Sequence, residues 1–459
     1  MNKINRETSI AERLATTIGS LKPAALPETT KEMSRRLLLD VVGLAVAARS
    51  ETYVKAALAT TDDGGNVTAF GHKGAFDAYD AALLNGTAAH GEDFDDTFEG
   101  GPVHSGAVIV PALLAACERE KLSGDRLLLG IAVGAELMCR LSLVAPKAIH
   151  SAGFHPTGVL GAVSAAGGIA AALGVPADQL VSALGVAGSM ASGIIEYLAE
   201  GTWTKRMHAG NSAQAGIRAA LMARGGFLGP RTVFEGVHGF FKAFAPSRQP
   251  DFAPLLEGFG KEWVIDQIAF KPYACGTMTQ PFIDCAIGLA KSGVKASEIA
   301  EIICDVGEGT VHRLWEPLEV KHAPQTPYAA KFSTPVCMAL GFLDGKCGFA
   351  QFTEERLADP KVTELARKIR YRINPNDEYP KNFTGHLKAT LKDGSTKEIR
   401  QGHMRGGAHD PLPIAELEEK FLGNARYGGW DDALARKFLE TTRSVFTARD
   451  LSALTEYRQ

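Results

Sequence analysis

Residues 156–177 carry no charged side chain, and this stretch restricts the fold more than any other. A run of that length is long enough to cross a bilayer as a helix, so it has to be buried in lipid or in protein. Its composition separates the two. Gly, Ala, Ser and Thr dominate, with few large apolar side chains. Small residues let helix backbones approach closely, and the mean hydropathy of the chain is −0.03. The expectation is a buried helix at the centre of a soluble helical bundle.

The neighbouring segments have helical spacing. Residues 30–49 place Leu37, Leu38, Val41, Val42, Leu44 and Ala45 on one apolar stripe. Residues 77–90, 106–118, 124–144 and 212–224 repeat the pattern, Pro176 and Asp178 start a new helix, and Gly225-Gly226 ends another. No fixed-period repeat points to a solenoid. The texture changes near Gln267. Residues 299–306 and 368–373 are rich in β-branched residues, and 385–401 alternate around the turn Asp393-Gly394-Ser395, which predicts a hairpin. A helical stretch at 334–343 lies between these strands, and helices resume after Asp410-Pro411. With 459 residues, one core is too small a home for the chain. The expected fold is mainly α: an all-helical domain over 1–267, a smaller α+β lid domain over 268–404, and C-terminal helices over 405–459 returning to the first domain.

Composition excludes several functions. Lys and Arg number 49 against 52 acidic residues, a net charge of −3, so nothing favours nucleic acid or an anionic membrane as partner. The opening MNKINRETSIAERLA has no apolar core of a secretory signal. Seven cysteines lie scattered without a C-x-x-C pair, which fits reduced thiols in the cytoplasm and argues against a cysteine-held iron–sulfur cluster.

Four polar constellations interrupt the apolar helices, and each is costly unless paired or functional. The first runs from His90 through Glu92, Asp93, Asp95, Asp96 and Thr97 to His104. Crowded carboxylates raise one another's pKa and make one a usable acid or base, or they hold a divalent cation, or they cap a helix. The second, Gly153-Phe154-His155-Pro156, sets a histidine at the N-terminus of the uncharged helix, where free N–H groups suit a carboxylate. In the third, Lys205, Arg206 and His208 open a small-residue helix. The fourth, Lys271-Pro272-Tyr273-Ala274-Cys275-Gly276, falls at the junction of the two expected domains. A packed histidine, a solvated charge pair and a tight turn are the plain alternatives for these three.

NGTAAHGEDFDDT with His104 and VIVPALLA resembles the signature of the MmgE/PrpD family. So do GFHPTGVLGA, MASGIIEYLAEGTWTKRMHAGNSAQAGIRAALMA, KPYACG with Asp284, YAAKFSTP, and MRGGAHDPL with EEKF. The resemblance implies a homodimeric, cofactor-independent lyase of small polycarboxylates, the family's activities being dehydration of 2-methylcitrate, decarboxylation of cis-aconitate and epimerisation of iminodisuccinate. It further implies Asp93, Thr97, His104, His155 and Lys205 in the pocket, with no metal. A histidine expected after the K-P-Y turn is Gln280 here, which hydrogen-bonds but does not exchange protons. Hydration or dehydration is therefore the expected reaction, with decarboxylation or epimerisation as alternatives.

In that reading Lys205, assisted by Arg206 or His208, anchors carboxylates. His104 and His155 act as general acid and base, Asp93 orients a histidine, and Thr97 hydrogen-bonds the substrate. Tyr273, Gln280 and Tyr328 complete the substrate contacts. Two other readings stay open: a metal-dependent lyase built on Asp93, Asp95 and Asp96, and a ligand-binding protein that has lost turnover.

Overall fold

The computed structural model describes residues 7–62 and 64–459. Helix accounts for 57% of it and strand for 8%, which makes the fold mainly α. The chain forms two compact units. One holds the residues up to Gly91, Asp95–Ile268 and Glu418–Gln459; the other holds Glu92–Phe94 and Ala269–Leu417.

The principal helices of the first unit are α1 (Ile10–Ser20), α2 (Glu28–Ala48), α3 (Ala78–His90), α4 (Ser105–Glu120), α5 (Gly124–Val144), α6 (Pro156–Leu173), α7 (Ala177–Met190) and α8 (Thr204–Arg224). Their ends follow local chemistry. The Asp77 side chain accepts from the backbone N–H groups of Tyr79 and Asp80 and starts α3. Pro156 occupies the first turn of α6, and Gly174 at φ 68° ends it.

α6, the uncharged helix, packs against α4, α5, α7 and α8. It and α5 are long and apolar enough to cross a membrane, yet 94% and 89% of their apolar windows are buried inside the protein. Small residues permit this density. A Cβ added at Gly86 of α3 would lie 2.7 Å from the Gly210 Cα of α8, and one at Gly168 of α6 would lie 3.0 Å from the Gly134 Cα of α5. The helix expected from about residue 212 begins at Thr204 instead. Its opening turns are polar, so they lack the apolar spacing that marks a helix in sequence. A short antiparallel pair, Val67–Thr68 with Ala75–Phe76, adds a strand element to this otherwise helical unit.

In the second unit, β1 (Ile299–Val306), β2 (Ile369–Ile373), β3 (Gly385–Leu391) and β4 (Thr396–Gln401) form one sheet. Its order is β2-β1-β3-β4, with β1 and β2 parallel and the other pairs antiparallel. Cys304 pairs with both Tyr371 and Leu387, and Leu387 with Ile399. Gly394, at φ 87°, makes the turn between β3 and β4. Helix α9 (Gln280–Lys291) covers β3 and β4 and packs on α10 (Thr334–Asp344).

Candidate functional site

Four helices of the first unit each deliver one imidazole to the same place. His90 is the last residue of α3, His104 and His155 are the N-caps of α4 and α6, and His208 sits early in α8. The His90 ring lies 4.9 Å from His104 and stacks on His155 at 5.5 Å. His155 and His208 are 5.3 Å apart, and Tyr197 sets its ring edge-on to both. Polar groups this well buried need defined partners, and hydrogen bonds supply most of them.

The Asp95 Oδ2 lies 2.7 Å from His90 Nδ1 and 3.5 Å from His104 Nδ1. His104 Nδ1 is also 2.7 Å from the Asp96 carbonyl oxygen. A carbonyl only accepts, so this nitrogen carries the hydrogen and Nε2 is left to exchange protons. The backbone N–H of His104 donates to Thr157 Oγ1 at 3.2 Å. Asp96 accepts from the Gly106 N–H and the Ser105 hydroxyl at the start of α4. Full burial, reinforced by the charge of Asp95, pushes the Asp96 carboxyl up to about 7.

His155 Nδ1 and His208 Nδ1 are 3.1 Å apart, so one donates to the other. Burial and then the positive charges of His90, Lys205, His208 and His104 push His155 well below its ordinary value. Burial, then His90 and Lys205, bring His208 down to about 4. Both rings are therefore neutral proton acceptors near pH 7. Lys205 is half-buried and its charge is felt at both.

Not every expected residue joins this cluster. Arg206 follows Lys205 by about 100° around the helix, and its guanidinium stacks over the Tyr53 ring at 4.3 Å. There it lines a separate cavity of about 580 Å³ with Tyr53, Thr87, Trp203 and Met207. Thr97 is buried in the first unit, at 5% exposure.

The remaining candidates lie in the second unit. Asp93 has a left-handed backbone, φ 55°, and its Oδ2 accepts from the Tyr328 hydroxyl at 2.7 Å. Its carbonyl accepts from Lys271 Nζ at 3.0 Å. Lys331 pairs with the Glu92 carboxylate and donates to the Glu92 carbonyl at 3.0 Å. A histidine-orienting contact is made by Asp95, while the Asp93 carboxylate accepts from Tyr328. Tyr273 donates to Asp284 at 2.6 Å and accepts from Arg405 at 3.1 Å. Gln280 is fully buried, and its amide is committed to the backbone: Nε2 donates to the carbonyls of Tyr273 and Cys275, and Oε1 accepts from the Tyr273 N–H. It fastens the K-P-Y turn rather than facing a ligand.

Sequence reasoning left His90, Asp95, Tyr197 and Lys331 without individual roles. His90 and Asp95 had a signal in the H-x-x-D-x-D pattern, but spacing does not say which aspartate faces which ring. Among the described residues, the group with metal-like donor spacing is His90, Asp95 and His104, whose ligand atoms lie within 4.8 Å of one another, and not the aspartate trio. All seven cysteines are free and buried.

Comparison with known proteins gives the same family for both units. Residues 12–253 match the MmgE/PrpD N-terminal domain, and residues 273–443 match the MmgE/PrpD C-terminal domain. The chain is 31% identical to a cis-aconitate decarboxylase of Homo sapiens, over 97% of this chain and 94% of that protein. It is 30% identical to the cis-aconitate decarboxylase of Mus musculus, over 91% and 87%. Against a cis-aconitate decarboxylase of Aspergillus terreus it is 27% identical, over 91% and 86%.

Proposed function

Because the chain belongs to the MmgE/PrpD family, we propose that it is a lyase acting on a cis-aconitate-like polycarboxylate by proton transfer next to a carboxylate. The observation that carries this reading is the buried group of four histidines with Lys205 beside it. Binding alone does not call for so many titratable groups at close range. Lys205 supplies positive charge for substrate carboxylates, with His208 assisting, and His104 and His155 carry protons. Thr97 is proposed as a further substrate contact. The names of the relatives favour decarboxylation: carbon dioxide leaves, its bonding electron pair stays on the carbon skeleton, and one proton is taken up there.

A second reading, hydration or dehydration of the same acid, is favoured by Gln280. Its fully buried amide does not exchange protons at neutral pH, where a histidine is expected. We also take the protein to be a cytoplasmic homodimer. The resemblance supports the dimer, to be tested by light scattering, and the seven free, buried thiols support a reducing compartment.

The deciding experiment follows EDTA-treated protein with cis-aconitate in D2O by proton NMR. Itaconate labelled with deuterium is the expected product. A hydrated acid would establish the second reading, and unchanged cis-aconitate would remove it as the substrate. Survival of activity in EDTA would dismiss a role for an exchangeable metal at His90, Asp95 and His104.

A further inference from the structure

We propose that Asp95 is the counter-ion of the imidazolium that forms on His104 when that ring takes up a proton, with His90 as the partner that holds the carboxylate in place. The inference rests on the acid–base reading of the histidine cluster. Three observations converge on it. The Asp95 and His90 side chains are both fully buried and lie 2.7 Å apart, so the carboxylate has a fixed position. The same oxygen is 3.5 Å from His104 Nδ1. His90 Nε2, at the far side of its ring, is buried without a hydrogen-bond partner, a deficit that costs stability. Retaining such a ring is worthwhile where its other nitrogen has a task, and holding Asp95 is that task.

The chemistry follows from the hydrogen bonds. Because His104 Nδ1 already donates to the Asp96 carbonyl, a proton gained by the ring goes to Nε2 and the ring becomes positive. In water such a charge needs no neighbour. In this buried setting a carboxylate within about 4–6 Å stabilises it by one to three pH units. The other groups facing the cluster do not substitute for Asp95. Asp96, from the same loop, is pushed up to about 7 and is partly neutral near that pH. Lys205 from α8 adds positive charge, which opposes protonation, while His155 from α6 and His208 from α8 are neutral near pH 7 and offer no negative charge. Asp95 therefore acts through His104 as a positioning residue and does not touch substrate.

The test uses the full chain with histidine rings labelled with nitrogen-15, comparing wild type with Asp95→Asn. Without substrate, the titration midpoint of His104 is expected to fall by about one pH unit in the variant. A change below about 0.3 units overturns the proposal. With substrate, kcat is expected to fall at least about 100-fold while KM stays within about threefold. A raised KM at unchanged kcat overturns it as well, because that marks a binding residue. Asp95→Glu, which keeps the charge, is expected to restore most of the midpoint; a midpoint as low as that of Asp95→Asn would show that packing, not charge, matters. Should wild type leave cis-aconitate untouched, the proposed substrate fails while the titration still decides the role of Asp95.

Discussion

Nδ1 of His155 and Nδ1 of His208 share one hydrogen at 3.1 Å, an arrangement available only while at least one ring is neutral. The linkage to stability follows from the direction of the shift. His208 binds its proton near pH 4 when folded and near its ordinary 6.5 when unfolded. Between those values the unfolded chain holds more protons, so stability falls as pH falls through that window. From about pH 7.5 to about pH 5, His208 alone costs on the order of 2 kcal/mol. Urea denaturation at both pH values should show His208→Gln losing less stability than wild type by roughly that amount. Catalysis gives a second prediction at the same scale. His104→Ala and Lys205→Ala should each lower turnover of the substrate by about 100-fold or more, and full activity in either would remove its assigned role. Gln280→Leu should cost about 1–3 kcal/mol, because it takes the partner from the buried Tyr273 N–H and the Cys275 carbonyl; a denaturation midpoint equal to that of wild type would contradict this. Residue types were readable in the sequence at this scale, but directions were not. The four acids between Glu92 and Asp96 look equivalent in a string of letters. A left-handed backbone at Asp93 sends them to different partners.

At the scale of elements, the site depends on how closely α3 and α8 approach, since His90 ends one and His208 begins the other. A Cβ on Gly210 would come within 2.2 Å of the Leu83 carbonyl oxygen, which is main chain and cannot swing aside. Gly210→Ala should therefore separate the helices and lower stability by about 1–3 kcal/mol. It should also reduce activity at a temperature where the variant is still folded, as the imidazoles drift apart; urea melts and initial rates check both. Periodicity made most elements legible in advance. The helix Gly124–Val144 and the hairpin strands Gly385–Leu391 and Thr396–Gln401 follow from their apolar spacing and turn residues. The start of α8 did not, because Thr204, Lys205 and Arg206 answer to a site and to Tyr53 rather than to a core.

For the whole molecule, the second unit is assembled from two stretches of chain far apart in sequence, Glu92–Phe94 and Ala269–Leu417. The short stretch gives Lys271 and Lys331 the acceptors they need: both residues are about 99% buried and both ammonium groups donate to its carbonyls. Residues 269–417 expressed alone would bury those charges without these partners, at a cost of several kcal/mol. That fragment is expected to be less cooperative in thermal unfolding than the same region in the intact chain, and sharp melting of the fragment would count against this account. The sequence change near Gln267 marked one end of the unit, but three residues lent from the other end of the chain leave no compositional trace.

The clasp formed by Lys271 and Lys331 also bears on inheritance. Exchange of gene segments at position 268 would pair one parent's lysines with another parent's residues 92–94, and only the carbonyls, which every residue possesses, would be guaranteed to match. Because both lysines donate to main-chain oxygen, that part of the clasp persists whatever the side chains at 92 and 93, while the ion pair of Lys331 with the Glu92 carboxylate is what divergence at 92 would remove. Chimaeras of this chain with its relatives should accordingly fold more readily than they function.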